Sequence, residues 1–396
     1  MTNGKYCYFI VIALSFILVV PSVRADEFRL VPSIAAREEY NSNIFLSTVD
    51  QKRDFVTTLS PGIEIVKRDE RLDTGAQIRV DRVEYTDNRD LNATDQTYKG
   101  NIRYRFTPNF SFAANAGYLV DSQPDRDLQT TGLVMSALQR ERVNTSLSTD
   151  YQITEITALS MSYAYSKDTY EKKFFDTLSH QVNAGLTQDF SKYFPAVKGM
   201  LNFGYSSYDI AGFRTNSIMG TMGISRNFSE IWAINVSGGA RYTETEFPVL
   251  RLQQAAQDKQ TDEGWGWVGQ VSLTYKGERS NGHLTYSRDV SPASGEGTAV
   301  ERNALMIGGR YRLTYELSFL LNAGYYTNKS GQFASSANAI DSQSFIINPR
   351  LRYEFSKDVA LEASYDYYKV DDRAADTQAE RHRVSLYLSV QHAFLE

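Results

Sequence analysis

Nucleophilic, acid–base or metal chemistry at neutral pH falls first to histidine and cysteine, and this chain has four of the former and one of the latter. The single cysteine, Cys7, sits at the head of an apolar N-terminal segment, so the rest of the chain has no thiolate nucleophile, disulfide or cysteine metal site. His180, His283, His382 and His392 are far apart, and none stands at a spacing that pairs it with a nucleophile or a metal. Scatter alone does not exclude catalysis, but without a motif most of the histidines read as girdle or loop residues and the chain reads as no enzyme. Gly238-Gly239 and Gly308-Gly309 occur inside apolar stretches and read as bends or close packing, not as phosphate loops. No cofactor and no metal are called for. Lysine plus arginine (42) against aspartate plus glutamate (47) leaves no basic excess for a nucleic acid.

What remains is a set of charged side chains two or four residues apart. They are Arg79 and Asp81, Arg103 and Arg105, Arg310 and Arg312, then Arg350, Arg352 and Glu354, then Glu362 and Asp366. That spacing puts each set on one face of a β-strand. If the face encloses water, these residues line a pore. The arginines of the third and fourth strands, and again of the fourteenth and sixteenth, then form a positive ladder for anionic or hydroxyl-rich solutes. The alternative is that the charges pair across strands and only keep the wall solvated.

The elements that carry them alternate apolar and polar residues from Phe28 onward, with no sustained helical spacing. Val384, Leu386, Leu388 and Val390 share one face, and Ser385, Tyr387, Ser389 and Gln391 the other. Short turns recur at Thr107-Pro108-Asn109, Thr154-Glu155-Ile156, Ser229-Glu230-Ile231, Thr314-Tyr315-Glu316 and Ser356-Lys357-Asp358. Longer polar connections, such as Asn41 to Arg53, Phe247 to Glu263 and Asn328 to Ile340, alternate with them. Phe106-Thr107, Phe190-Ser191, Phe228-Ser229 and Phe355-Ser356 repeat around the short turns, an internal repeat of hairpins. Tyr118, Tyr163, Tyr165, Tyr205, Tyr242, Tyr286, Tyr325 and Tyr365 end one set of strands, and Phe106, Tyr151, Phe190, Phe228, Tyr275, Tyr311 and Phe355 the other.

Two aromatic girdles, short turns at one edge and long loops at the other describe an all-β chain. It is a transmembrane antiparallel up-and-down β-barrel of about 18 strands, with short periplasmic turns and longer extracellular loops. A secreted soluble sandwich or solenoid would alternate in the same way, but requires neither the girdles nor the one-sided loops. Pro32, Pro61 and Pro349 fall within strands and alternation slips between Val80 and Val83, which predicts bulges. The run Tyr8–Val20 and the small residues around Ala25 mark residues 1–25 as a cleaved secretory signal, leaving 26–396 as a single barrel. A barrel of this strand number leaves an aqueous lumen. No segment suggests a plug or a deeply folded loop, so that lumen is expected to be wide.

Val31-Pro32-Ser33, then Glu38-Glu39-Tyr40-Asn41-Ser42-Asn43-Ile44-Phe45-Leu46, then Leu59-Ser60-Pro61-Gly62 resemble the opening of a family of outer-membrane β-barrel porins. The resemblance implies residence in the outer membrane of a Gram-negative bacterium. The implied partners are outer-membrane lipid and the barrel assembly machinery. Members of the family often accompany exopolysaccharide export loci, which implies an exit channel for a secreted exopolysaccharide served by a periplasmic polysaccharide export protein. Two alternatives stay open: a general diffusion porin for small hydrophilic solutes, and a nonconducting structural or adhesive barrel.

Overall fold

The computed structural model describes residues 27–122, 139–170, 176–210, 213–247, 260–293, 298–330 and 340–394. The proposed signal segment 1–25 lies outside them. The strands of the first half are β1 (Glu27–Asn41), β2 (Asp54–Arg68), β3 (Leu72–Tyr85), β4 (Ala93–Thr107), β5 (Phe110–Asp121), β6 (Arg140–Thr154), β7 (Thr157–Tyr170), β8 (Thr177–Asp189) and β9 (Val197–Ile210). Those of the second half are β10 (Phe213–Asn227), β11 (Trp232–Phe247), β12 (Gln260–Lys276), β13 (Ser280–Ala293), β14 (Thr298–Arg312), β15 (Leu317–Ser330), β16 (Asp341–Glu354), β17 (Val359–Asp372) and β18 (Thr377–Gln391). Each pairs antiparallel with its chain neighbours, and β18 returns to β1 from Ser33↔Gln391 to Asn41↔Arg383. The result is one closed 18-stranded barrel.

Closure is what lets such a wall stand in lipid, because β1 and β18 supply each other's backbone partners where an open sheet would have two free edge strands. The apolar side chains confirm which way the wall faces. Val384 and Leu386 are 54% and 50% exposed, and Ile218, Met222 and Phe203 on the far side of the barrel are exposed as well. An inward-packed sandwich would bury these residues. Aromatic pairs gather at both rims. Tyr40–Phe55, Tyr98–Tyr118 and Tyr242–Trp265 mark the rim of the long connections, while Phe106–Phe110, Trp232–Tyr275 and Tyr353–Phe355 mark that of the short turns.

The short turns owe their repeat to a hydroxyl. Thr314 Oγ1 accepts from the amides of Glu316 and Leu317, Ser356 Oγ from Asp358 and Val359, and Ser229 Oγ from Ile231 and Trp232. A side-chain acceptor in place of a backbone carbonyl tightens the reversal. The expected bulges at the prolines are absent. Register runs unshifted from Leu59↔Arg82 to Gly62↔Arg79 and from Ile347↔Tyr367 to Arg350↔Ser364, so pairing lapses around Pro61 and Pro349 without an inserted residue. Among the described residues, register shifts fall instead beside the short turns, between Arg105 and Thr107 and between Gln152 and Thr154. The slip in alternation after Val80 is likewise not a bulge: Val83 faces inward in regular register and is buried. Gly239 is close packing as expected, since a Cβ there would collide with the Gly220 carbonyl.

Candidate functional site

Directly paired residues of neighbouring strands share a face, so the outward set Val384, Leu386, Leu388 and Val390 fixes the face of every residue around the wall. Followed pair by pair, the register puts Arg79 and Asp81, Arg103 and Arg105, Arg310 and Arg312, Arg350, Arg352 and Glu354, and Glu362 and Asp366 all on the inward face. Most of them are ion-paired. Arg79 Nη2 lies 3.0 Å from Asp81 Oδ2, Arg352 Nε 3.1 Å from Glu354 Oε1, and Arg350 Nη1 3.7 Å from Glu362 Oε1. Arg310 donates to Ser318 Oγ at 2.9 Å and shares Glu354 with Arg352. Asp366 accepts from Arg383 Nε at 3.1 Å. Arg103, Arg105 and Arg312 differ. All three are exposed, and none has an ion-pair partner among the described residues. Arg103 sits across the ladder from Asp73 without closing a bridge.

Sequence reasoning missed the densest inward clusters, which lie toward the long-connection rim. Arg142 grips Asp168 with two bonds of 2.6 Å, and buried Arg140 donates to Asp121 Oδ2 at 2.7 Å. On β17 and β18, Arg381 and Arg383 stand 4.3 and 5.5 Å from the centre of the buried Tyr368 ring. Arg383 also reaches Glu39 of β1 at 3.6 Å, and Asn348 donates to Asp366. The signal was present in the two-residue spacing of Arg140 and Arg142 and of Arg381 and Arg383, at strand starts where no apolar alternation flags the face. The histidines divide. His180 and His382 sit in the outer girdle, hydrogen-bonded to Tyr163 and Tyr365 Oη at 2.9 and 2.7 Å, and His392 pairs with Asp358 beside a short turn. His283 is neither rim nor loop: it faces inward over Gly308, whose missing side chain leaves room for the ring.

The lumen is not the open one expected. The 42–53 connection between β1 and β2 folds inward, and Leu46 is buried among Ala304, Tyr326, Ile346, Tyr368 and Ala379 on the inner faces of β14 to β18. The motif used for the family resemblance builds this fold. Buried Asn43 donates to Ser47 O at 2.9 Å and Glu380 O at 3.1 Å and accepts from Ser47 N, while Ser42 Oγ accepts from His382 N. Leu46 holds a φ of 47°, a left-handed conformation that a branched side chain keeps only where its surroundings hold it.

The β13–β14 hairpin also leaves the wall. Its ladder to β12 ends at Gly269↔Arg288, and the described residues 260–268 of β12 pair with β11 alone. Beyond that point Asp289 and Arg302, ion-paired at 2.9 Å, lie within electrostatic reach of Tyr208 on β9. Two segments therefore reach into the lumen toward the long connections, while the exposed Arg103, Arg105 and Arg312 stand on the inward face toward the short turns.

A closed antiparallel wall with a lipid-facing apolar band and aromatic rims is the architecture of the Gram-negative outer membrane, and the chain is an outer-membrane β-barrel. Residues 23–179 match the family described as Putative beta-barrel porin 2. No curated protein matches the chain in sequence. Among solved structures, it is similar to Acinetobacter baumannii OccAB4 at 13% identity, over 94% of this chain and 99% of that one, with a TM-score of 0.49. It is also similar to Pseudomonas aeruginosa OccK2 (OpdF), at 8% identity over 94% and 100% of the two chains with a TM-score of 0.48. For Pseudomonas aeruginosa OccK3 (OpdO) the values are 13%, 92% and 96%, and 0.44.

Proposed function

We propose that this outer-membrane barrel is a channel for anionic, hydroxyl-rich solutes and that its cargo is a secreted exopolysaccharide entering from the periplasmic side. In this reading Arg79, Asp81, Arg103, Arg105, Arg310, Arg312, Arg350, Arg352, Glu354, Glu362 and Asp366 line the pore, and residues 1–25 direct the chain out of the cytoplasm. The observation that carries the reading is the unpaired state of Arg103, Arg105 and Arg312 on the inward face. A guanidinium whose charge is not spent on a neighbouring carboxylate is free to meet a carboxylate or hydroxyl of a passing solute. The ion-paired arginines beside them hold the wall, as Arg350 does with Glu362. A periplasmic polysaccharide export protein is the fitting partner at the short-turn rim.

The inward-folded 42–53 connection favours a second reading, a diffusion channel for small hydrophilic solutes, because it narrows the exit that a polymer needs. Arg103→Glu with Arg105→Glu tests the shared part of both readings. In planar bilayers under a salt gradient, the reversal potential should shift toward cation preference. An unchanged reversal potential would remove these arginines from the solute path. Deleting the gene and measuring surface polymer then separates the two: loss of polymer supports the export channel, and normal polymer with intact conductance supports the diffusion channel.

A further inference from the structure

A barrel wall in lipid should have no open ladder, yet among the described residues, 264–268 of β12 have no partner on the β13 side, while residues 289–293 of β13 pair only with β14. The opening lies near the girdle, since Tyr242 and Trp265 pack at 5.4 Å on one flank and Tyr286 lies on the other. Backbone groups unpaired at this depth cost free energy, so the arrangement needs a compensating set of contacts.

Ion pairs made by Glu301 supply those contacts. Glu301 lies on the outward face of β14, and Arg241 on the inward face of β11, yet the two are ion-paired, so the bond passes through the gap in the wall. A second guanidinium, that of Arg288, binds the other oxygen of Glu301 at 2.9 Å and stacks 4.6 Å from the centre of the Trp267 ring. Gly264 and Gly266 of β12 share the inward face with Arg241, and a side chain at Gly266 would meet its guanidinium. Glycine at 266 clears the path that Arg241 takes. One carboxylate thus staples β14 to the inner wall of β11.

We propose that the β13–β14 hairpin is a gate with two positions, and that the carboxylate of Glu301 holds it in the inward one. In the other position the Gly269↔Arg288 register continues upward, so that residue 268 meets 289 and residue 266 meets 291. That movement closes the open ladder and withdraws Asp289 and Arg302 from the lumen in a single step. The inward position gains the Arg241–Glu301 ion pair and loses the ladder, and the wall position gains the ladder and loses that pair, while Arg288, on the same hairpin as Glu301, keeps its carboxylate in both. An exchange between unlike but compensating contacts is what a two-state element requires.

The gate rests on the channel reading above, and its test separates the two. Continuing the same register pairs residue 264 with 293, and a side chain at Gly264 meets nothing within 4 Å, so Gly264→Cys with Ala293→Cys leaves the staple intact and places two thiols at facing positions only in the wall position, where directly paired residues come within disulfide reach. Oxidation of the folded double variant in membranes should form the crosslink, seen as a mobility change on a gel. It should form faster when Glu301→Gln is added, because the staple is then weakened. Single-channel conductance should step up on oxidation and fall back on reduction. Failure of the crosslink to form in a barrel that still shows normal heat-dependent gel mobility would overturn the gate. So would a crosslink that leaves conductance unchanged. Conductance absent in both redox states, with the crosslink formed, would sink the channel reading itself, and the gate with it.

Discussion

Leu46→Ala strikes the point at which the 42–53 connection is fastened to the inner wall. The side chain is 6% exposed and belongs to one buried cluster with Ala304, Tyr326, Ile346, Tyr368 and Ala379, which come from five different strands. Truncating a buried leucine to alanine costs about 2–5 kcal/mol. The lower end applies here, because water in the lumen can fill part of the space. About 2 kcal/mol is about a thirtyfold change in an equilibrium constant. The barrel wall has other supports, so the loss acts on the docked and undocked populations of the connection and leaves global stability nearly unchanged. Two assays read it. In planar bilayers the variant should show a larger or flickering single-channel conductance. Trypsin added from the outside should cut faster at the exposed Lys52 and Arg53. Wild-type conductance together with a wild-type cleavage rate would refute the claim that Leu46 is the fastening.

Two further outcomes are expected. Asp168→Asn leaves Arg142 without its bidentate carboxylate and takes one of the carboxylates from Arg140. Removing one partner from a buried pair costs about 3 kcal/mol or more, so the temperature at which the folded barrel loses its compact gel mobility should fall, and an unchanged value would show the cluster to be energetically idle. The selectivity change from Arg103→Glu with Arg105→Glu should shrink between 0.1 and 1 M salt, roughly as the screening length falls from about 10 to about 3 Å, because both side chains are solvent-exposed; a salt-independent shift would point to altered pore shape instead of charge.

The wall was legible in the sequence because its rules are local. A strand facing lipid on one side and water on the other repeats every two residues, as Val384 to Val390 do, and a turn that needs a side-chain acceptor keeps Thr314 or Ser356 in place. The face of each charged candidate followed from the same period. The contents of the lumen were not legible. Leu46 docks on residues more than 250 positions away, and its motif of asparagine and serine reads locally as an ordinary polar loop. Whether an inward arginine is free or paired depends on which carboxylate the register brings opposite: Arg350 meets Glu362 by way of the β16–β17 pairing, whereas Arg103 faces Asp73 and stays open. The departure of the β13–β14 hairpin leaves no mark in alternation, since both of its positions present the same residues on the same faces. The prolines misled for a related reason. A missing N–H interrupts pairing without adding a residue, and only the three-dimensional register distinguishes that from a bulge.

The central claim is that the apolar face of this closed wall looks out into lipid and the polar face encloses water. Because Cys7 is the only cysteine and belongs to the proposed signal, single cysteines placed along residues 384 to 390 in β18 report each position separately. In reconstituted vesicles, fluorophores at Val384, Leu386, Leu388 and Val390 should be quenched by brominated lipid, while cysteines at Ser385, Tyr387 and Ser389 should react with a small membrane-impermeant maleimide and escape the quencher. Quenching at the odd positions, or none at either set, would contradict the account.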